Sequence, residues 1–207
     1  MLEKAKNLMA DHVSYAYDEN LSEYTLFHNP SDGGIWDTYE SSQDKQGKTT
    51  GVSKEFAKVL SNVQRGNSSV GWIAHSQGGV IFTEAVRYHV KQGRGLLDKN
   101  SIWFHAGANN KKKTDKIMSM AGVKIHGFND HPFDLVPQIV GRRATSASNV
   151  VRSIIHAGYV LNGSQERSPH TLPYQGMDHY REQMPSAYQY IESIPSRVKV
   201  MFKLIMK

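Results

Sequence analysis

Two spacings of apolar residues alternate along the chain. Residues 69–73, 101–106 and 123–128 are short runs rich in β-branched and aromatic side chains, the pattern of strands buried on both faces. Between them the spacing changes. Over residues 53–64, Phe56, Val59, Leu60 and Val63 fall on one stripe, which predicts an amphipathic helix capped by Ser53. Residues 80–88 and 114–120 read as further helices, the second ended by Gly122. Residues 23–27 read as an upstream strand, closed by a loop over 28–34 that carries every turn signal. Downstream, residues 142–150 form a small, polar connector and 154–161 the last core strand. A long loop over 162–177 then precedes a helix over 178–191, interrupted near Pro185. Strand and helix in alternation predict an α/β fold with a mostly parallel central sheet flanked by helices, one domain over residues 1–207.

The most informative junction is Ala74-His75-Ser76-Gln77-Gly78, which joins the strand at 69–73 to the helix at 80–88. Strand, sharp turn bearing a serine, then helix is the nucleophile elbow of the α/β-hydrolase fold. Its mechanics call for small residues. Side chains two before and two after the serine converge, and here they are Ala74 and Gly78, with Gly79 giving clearance where the helix packs on the sheet. The turn raises the Ser76 hydroxyl above the sheet edge and aims the first helical amides at an incoming oxyanion.

A serine hydroxyl needs a base, and the base an orienting carboxylate; in this fold the chain order is Ser, acid, His. The acid belongs in the loop after the strand at 123–128, where Asp130 and Asp134 compete, with Asp134 preferred. The histidine belongs in the loop after the last strand: His170 is the first choice, and His179, at the start of the final helix, is the alternative base. The chain has ten histidines, so position decides among them. His75 points away from the serine and packs beneath the elbow, while His126 and His156 fall in strand patterns as core or wall residues. One oxyanion donor is the backbone N–H of Gln77. The other comes from the loop after residues 24–27, from Asn29 or Ser31, because Pro30 has no N–H.

Composition narrows the chemistry further. Without cysteine there are no disulfides, thiolate metal sites or cysteine nucleophile. No His-Glu-x-x-His occurs and no Gly-Lys-Ser/Thr follows Gly33-Gly34, so neither a metal nor a nucleotide cofactor is expected. A net charge of +6 asks for an anionic partner. Lys111-Lys112-Lys113, Arg142-Arg143 and the mixed cationic and apolar tail at 197–207 suit peripheral contact with an anionic membrane, whereas no nucleic-acid recognition motif accompanies the charge. No apolar run reaches the roughly 18 residues of a membrane span, and no apolar block follows the first residues as in a secretory signal.

His75-Ser76-Gln77-Gly78-Gly79 resembles the Gly-His-Ser-x-Gly-Gly elbow of serine lipases, and Asp134-Leu135-Val136-Pro137 resembles the Asp-x-Val-Pro acid segment of class 3 lipases. Phe27 to Ser31, the acidic Asp37-Thr38-Tyr39-Glu40, Ser168-Pro169-His170 and Tyr180 are similar to hydrolase domains at the C-termini of large bacterial secreted toxins. The resemblance implies a lipase or phospholipase with a Ser76-His170-Asp134 triad. It further implies a phospholipid ester substrate, a cognate immunity protein as partner, and delivery into a target cell as part of a longer toxin chain. Two features depart from the pattern. Ala74 replaces the first glycine, and the chain is short, with no insertion large enough for a lid. A thioesterase, amidase or acyltransferase would use the same triad, and a hydrolase-fold binding module would leave the serine idle.

Overall fold

The computed structural model describes residues 2–17, 24–27, 49–155 and 169–170. Its centre is a three-stranded parallel sheet in the order β1 (Val70–His75), β2 (Asn100–His105), β3 (Lys124–Asn129). Parallel neighbours need crossover connections, and helices supply them. Helix α1 (Leu2–Ala16) and α2 (Gly51–Arg65) precede β1, α3 (Gly78–Lys91) joins β1 to β2, and α4 (Lys111–Ala121) joins β2 to β3. A π-helical turn (Val136–Val140) and α5 (Ala147–Ile155) follow. The described chain is therefore of the α/β class expected from the pattern.

The core forms where α2, α3 and α4 cover the sheet. Phe56 and Leu60 from α2, Phe82 and Ala85 from α3, Ile102 and Phe104 from β2, and Met118 from α4 are all buried. Aromatic rings link the layers, with Phe56 against Trp72 at 5.2 Å and Phe82 edge-on to Phe104 at 6.1 Å between centroids. Helix α4 is bounded as its sequence suggests. Asn110 accepts from the Lys113 amide at its start, and Gly122 (φ 72°) ends it in the left-handed conformation that glycine adopts without a Cβ penalty.

Several local expectations are corrected. The cap of α2 is Thr50, whose hydroxyl accepts from the Ser53 amide at 3.3 Å; Ser53 itself is buried in the first turn. Lys111-Lys112-Lys113 is the first turn of α4 rather than a run ahead of it. Residues 24–27 join no sheet: the Tyr24 hydroxyl donates to the Lys6 carbonyl, and the Phe27 ring packs on Phe56 at 4.8 Å. The connector at 142–150 turns helical at Ala147, because the Ser146 hydroxyl accepts from the Asn149 amide and Val150 and Val151 are buried. Ile154 and Ile155, read as the start of a strand, close that helix. The remainder of that strand, the loop at 28–34, the helix at 178–191 and the basic tail lie outside the described residues.

Strand register sets up the functional edge. His75 pairs with His105 and His105 with Asn129, so the three strands end level with one another. Ser76, Ala106 and Asp130 therefore leave the sheet side by side at its carboxyl edge, where open α/β sheets bind ligands.

Candidate active site

Ser76 occupies the bend between β1 and α3 with φ 54°, unusual for a residue with a Cβ. Such a conformation costs of order 1–3 kcal/mol and persists only where the surroundings over-determine it. Here three backbone hydrogen bonds do so. The Ser76 amide donates to the His105 carbonyl at 3.1 Å, and its carbonyl accepts from the amides of Gly79 and Ala108, each at 3.1 Å.

Of the two glycines after the bend, Gly79 gives the expected clearance, whereas Gly78 is not under the expected crowding. A Cβ at Gly78 would lie 3.9 Å from the Ala74 Cβ, an ordinary contact. A Cβ at Gly79 would meet Asn109 Oδ1 at 2.5 Å, and Asn109 is buried and held by Thr114 and Arg143. The tight position is thus Gly79, where the helix passes the loop after β2. In denaturant titrations Gly79→Ala is expected to lose about 1–3 kcal/mol through overpacking. Gly78→Ala should stay within about 0.5 kcal/mol. Equal losses at the two sites would contradict this assignment.

The structure brings Ser76, His170 and Asp134 together. Ser76 Oγ lies 2.9 Å from His170 Nε2, and His170 Nδ1 lies 2.9 Å from Asp134 Oδ2. A carboxylate accepts hydrogen bonds, so Nδ1 carries the imidazole proton and Nε2 is left to accept from the hydroxyl. Asp134 is fully buried, and its second oxygen accepts from the Val136 amide at 2.9 Å. The carboxylate is held by the turn it starts: its own amide donates to the His131 carbonyl, and the π-helical turn begins two residues later.

Asp130, the competing acid, is committed elsewhere. Arg143 Nη1 lies 2.8 Å from both of its oxygens, while Arg143 Nε donates to the Asn109 carbonyl and the guanidinium stacks over Phe128. The Asp130 carboxyl is raised above its ordinary value, chiefly by burial, which Arg143 offsets only in part. Through Arg143 the loop after β3 is tied to Asn109 in the loop after β2. Gln77 follows Ser76 as the N-cap residue of α3, at the positive end of the helix dipole, where an oxyanion is favoured. Asn29, Ser31 and the alternative base His179 lie outside the described residues.

Four histidines meet at this edge, a feature the linear reading did not find. His75 and His105 end adjacent strands in register, and His12 reaches between them from α1. His12 and His105 approach Nδ1 to Nδ1 at 2.8 Å, one ring donating and the other accepting. The His12 ring lies 4.9 Å from that of His75, which in turn lies 4.7 Å from His170. Burial, reinforced by the neighbouring imidazoles, lowers His12 to about 3 and holds His75 well below the ordinary histidine value; burial alone lowers His105 to about 4. The one hint in the sequence was the recurrence of histidine at the end of successive strands. His126 is an exposed residue stacked on Trp103 rather than a core residue.

Among the described residues no group of three or more His, Asp or Glu could hold a metal ion. A surface cleft of about 660 Å³, lined in part by Lys58, Arg65, His89 and Arg94, opens at the far ends of α2 and α3 and is remote from Ser76. Its cations are occupied locally: Lys58 pairs with Glu55 and Arg65 donates to Asn62. No helix among the described residues is long and apolar enough to cross a membrane. Comparison with known proteins finds no matching family model, no matching curated protein and no matching solved structure.

Proposed function

We propose that this chain is a serine ester hydrolase of the α/β-hydrolase fold, acting on phospholipids. The observation that carries the reading is the continuous line from Asp134 Oδ2 through His170 to Ser76 Oγ, with both links at 2.9 Å. His170 Nε2 takes the hydroxyl proton as Ser76 Oγ attacks the ester carbonyl, and Asp134 stabilises the imidazolium that forms. The tetrahedral oxyanion develops beside the Gln77 amide, with Asn29 as the expected second donor. The protonated imidazole then gives its proton to the leaving alcohol, and a water molecule repeats the sequence to free the acid and restore Ser76.

The lipid substrate is supported by charge. Lys111, Lys112 and Lys113 open α4 at the sheet edge that carries Ser76, within a chain of net charge +6. Lys111 pairs with Asp115 and Lys113 with Glu84, so the net positive charge and Lys112 carry the argument for docking against anionic headgroups. Action as an antibacterial toxin domain within a longer chain, neutralised by an immunity protein, completes the reading on the resemblance of residues 27–31, 37–40 and 168–170.

The test uses the purified chain with a fluorophosphonate probe and with mixed bacterial phospholipids. The expected result is a single adduct on Ser76, together with fatty acid and lysolipid release seen by mass spectrometry. A folded chain that takes no probe at Ser76 overturns the hydrolase reading. Labelling without lipid products, but with turnover of thioesters or amides, overturns the phospholipid assignment alone.

A further inference from the structure

We infer that His75 is a positioning residue that clamps the main chain of the base, an inference that rests on the hydrolase reading. His75 Nε2 lies 2.8 Å from the carbonyl oxygen of His170. A carbonyl only accepts, so His75 donates, and Nε2 carries its proton. The ring packs against those of His170 and His12, with centroids at 4.7 and 4.9 Å.

The geometry has a specific consequence. His75 and Ser76 are consecutive residues at the end of one strand, and they grip two ends of the same residue. Ser76 meets the tip of the His170 side chain and His75 holds its backbone, while Asp134 fixes the ring from a different loop. The strand that positions His75 is paired through its last residue to β2, so the clamp is referenced to the rigid sheet. The base–nucleophile distance therefore does not depend on the loop bearing His170 alone. A displacement of about 1 Å at such a contact can cost roughly a hundredfold in rate. In this role His75 exchanges no proton with substrate. Its neutral ring also leaves the neighbouring imidazole as the one that becomes charged during turnover.

Three substitutions separate this role from packing. His75→Phe keeps a ring without a donor. His75→Asn keeps a donor that falls short of the carbonyl, and His75→Gln places an amide N–H at about the reach of Nε2. Each is compared with the wild-type chain by its rate of fluorophosphonate labelling at Ser76, by kcat and KM on a short p-nitrophenyl ester, and by thermal melting. The expected result is a 10- to 100-fold fall in labelling rate and kcat for Phe and Asn, with KM within about twofold and near-complete recovery in Gln. If the Phe variant does not fold, the Asn and Gln pair decides. Phe or Asn labelling at the wild-type rate overturns the inference and leaves the hydrolase reading standing. A folded Gln variant as slow as Asn also overturns it. A folded wild-type chain that is not labelled sinks the hydrolase reading, and the clamp with it.

Discussion

Ser76→Ala is expected to lower ester turnover by roughly 10⁴-fold or more, and Asp134→Asn by roughly 10⁴-fold. The two losses have different origins. Alanine removes the attacking oxygen itself. Asparagine keeps the shape of the Asp134 site but presents an amide where His170 Nδ1 needs an acceptor, so the imidazole turns its proton toward Ser76 and can no longer take one. Neither change is expected to unfold the chain: the bend at Ser76 is held by backbone bonds to His105, Gly79 and Ala108 that do not involve the side chain. The informative control is Asp130→Asn. It breaks the buried pair with Arg143, at about 3–5 kcal/mol of stability, yet leaves the Asp134–His170–Ser76 line in place. A folded Ser76→Ala variant with wild-type turnover, or an Asp130→Asn variant with the larger kcat defect, would show that the wrong residues have been assigned. Steady-state kinetics with parallel urea titrations make the check.

Acidification from pH 7 to pH 5 is expected to remove a few kcal/mol of folding stability. His12, His75 and His105 are held below the ordinary histidine value of about 6.5, which their side chains regain in the unfolded chain. The unfolded state therefore binds more protons over this interval. Stability is complete above pH 6.5 and is lost as the pH falls through that value. At pH 5 His12 and His105, lowered to about 3 and about 4, have each forfeited up to about 1.5 pH units, or about 2 kcal/mol, and His75 acts in the same direction. The loss levels off only near pH 3 to 4, where His12 and His105 protonate in the folded state as well. Total stabilities of about 5–15 kcal/mol leave little margin. The groups that face one another in the cluster are His12, His75, His105 and His170; His89, buried between Ser61 and the Gly95 carbonyl, acts in the same direction. Urea titrations at pH 7, 6 and 5 should show a steepening dependence, with a net uptake of protons on unfolding that grows as the pH falls below 6.5. His12→Phe with His105→Phe should flatten it. A wild-type chain equally stable at pH 7 and pH 5 would mean that these rings are not packed as described.

Local signals in the sequence carried the elements around β1, β2 and β3. Apolar runs too short for helices marked each strand, and turn residues such as Gly122 stopped the helices between them. They failed where an element has no signal of its own. Helix α5 begins in small, polar residues that suggest a connector and ends in Ile154 and Ile155, which suggest a strand; it is helical because Ser146 caps it and Val150 and Val151 find a buried face. Residues 24–27 have strand composition but pack against α1 and α2 rather than joining the sheet. Thr50 displaced Ser53 as the cap of α2 because either hydroxyl suits the position, and only the backbone path selects between them.

For the candidate site, the sequence alone determined the serine and its bend, since a strand, a tight turn and a helix must follow one another in the chain. It also placed the candidate residues Asp134 and His170 in that order after them. Tertiary structure decided which of them meet. Asp134 faces His170 while Arg143, thirteen residues on, takes up Asp130. Gly79 rather than Gly78 is the tight glycine because Asn109 arrives from another strand's loop. The histidine cluster exists only because β1 and β2 end in register and α1 inserts His12 between them. Strand register and the side on which a helix packs are long-range quantities, set by burying the whole core at once, and no window of neighbouring residues contains them.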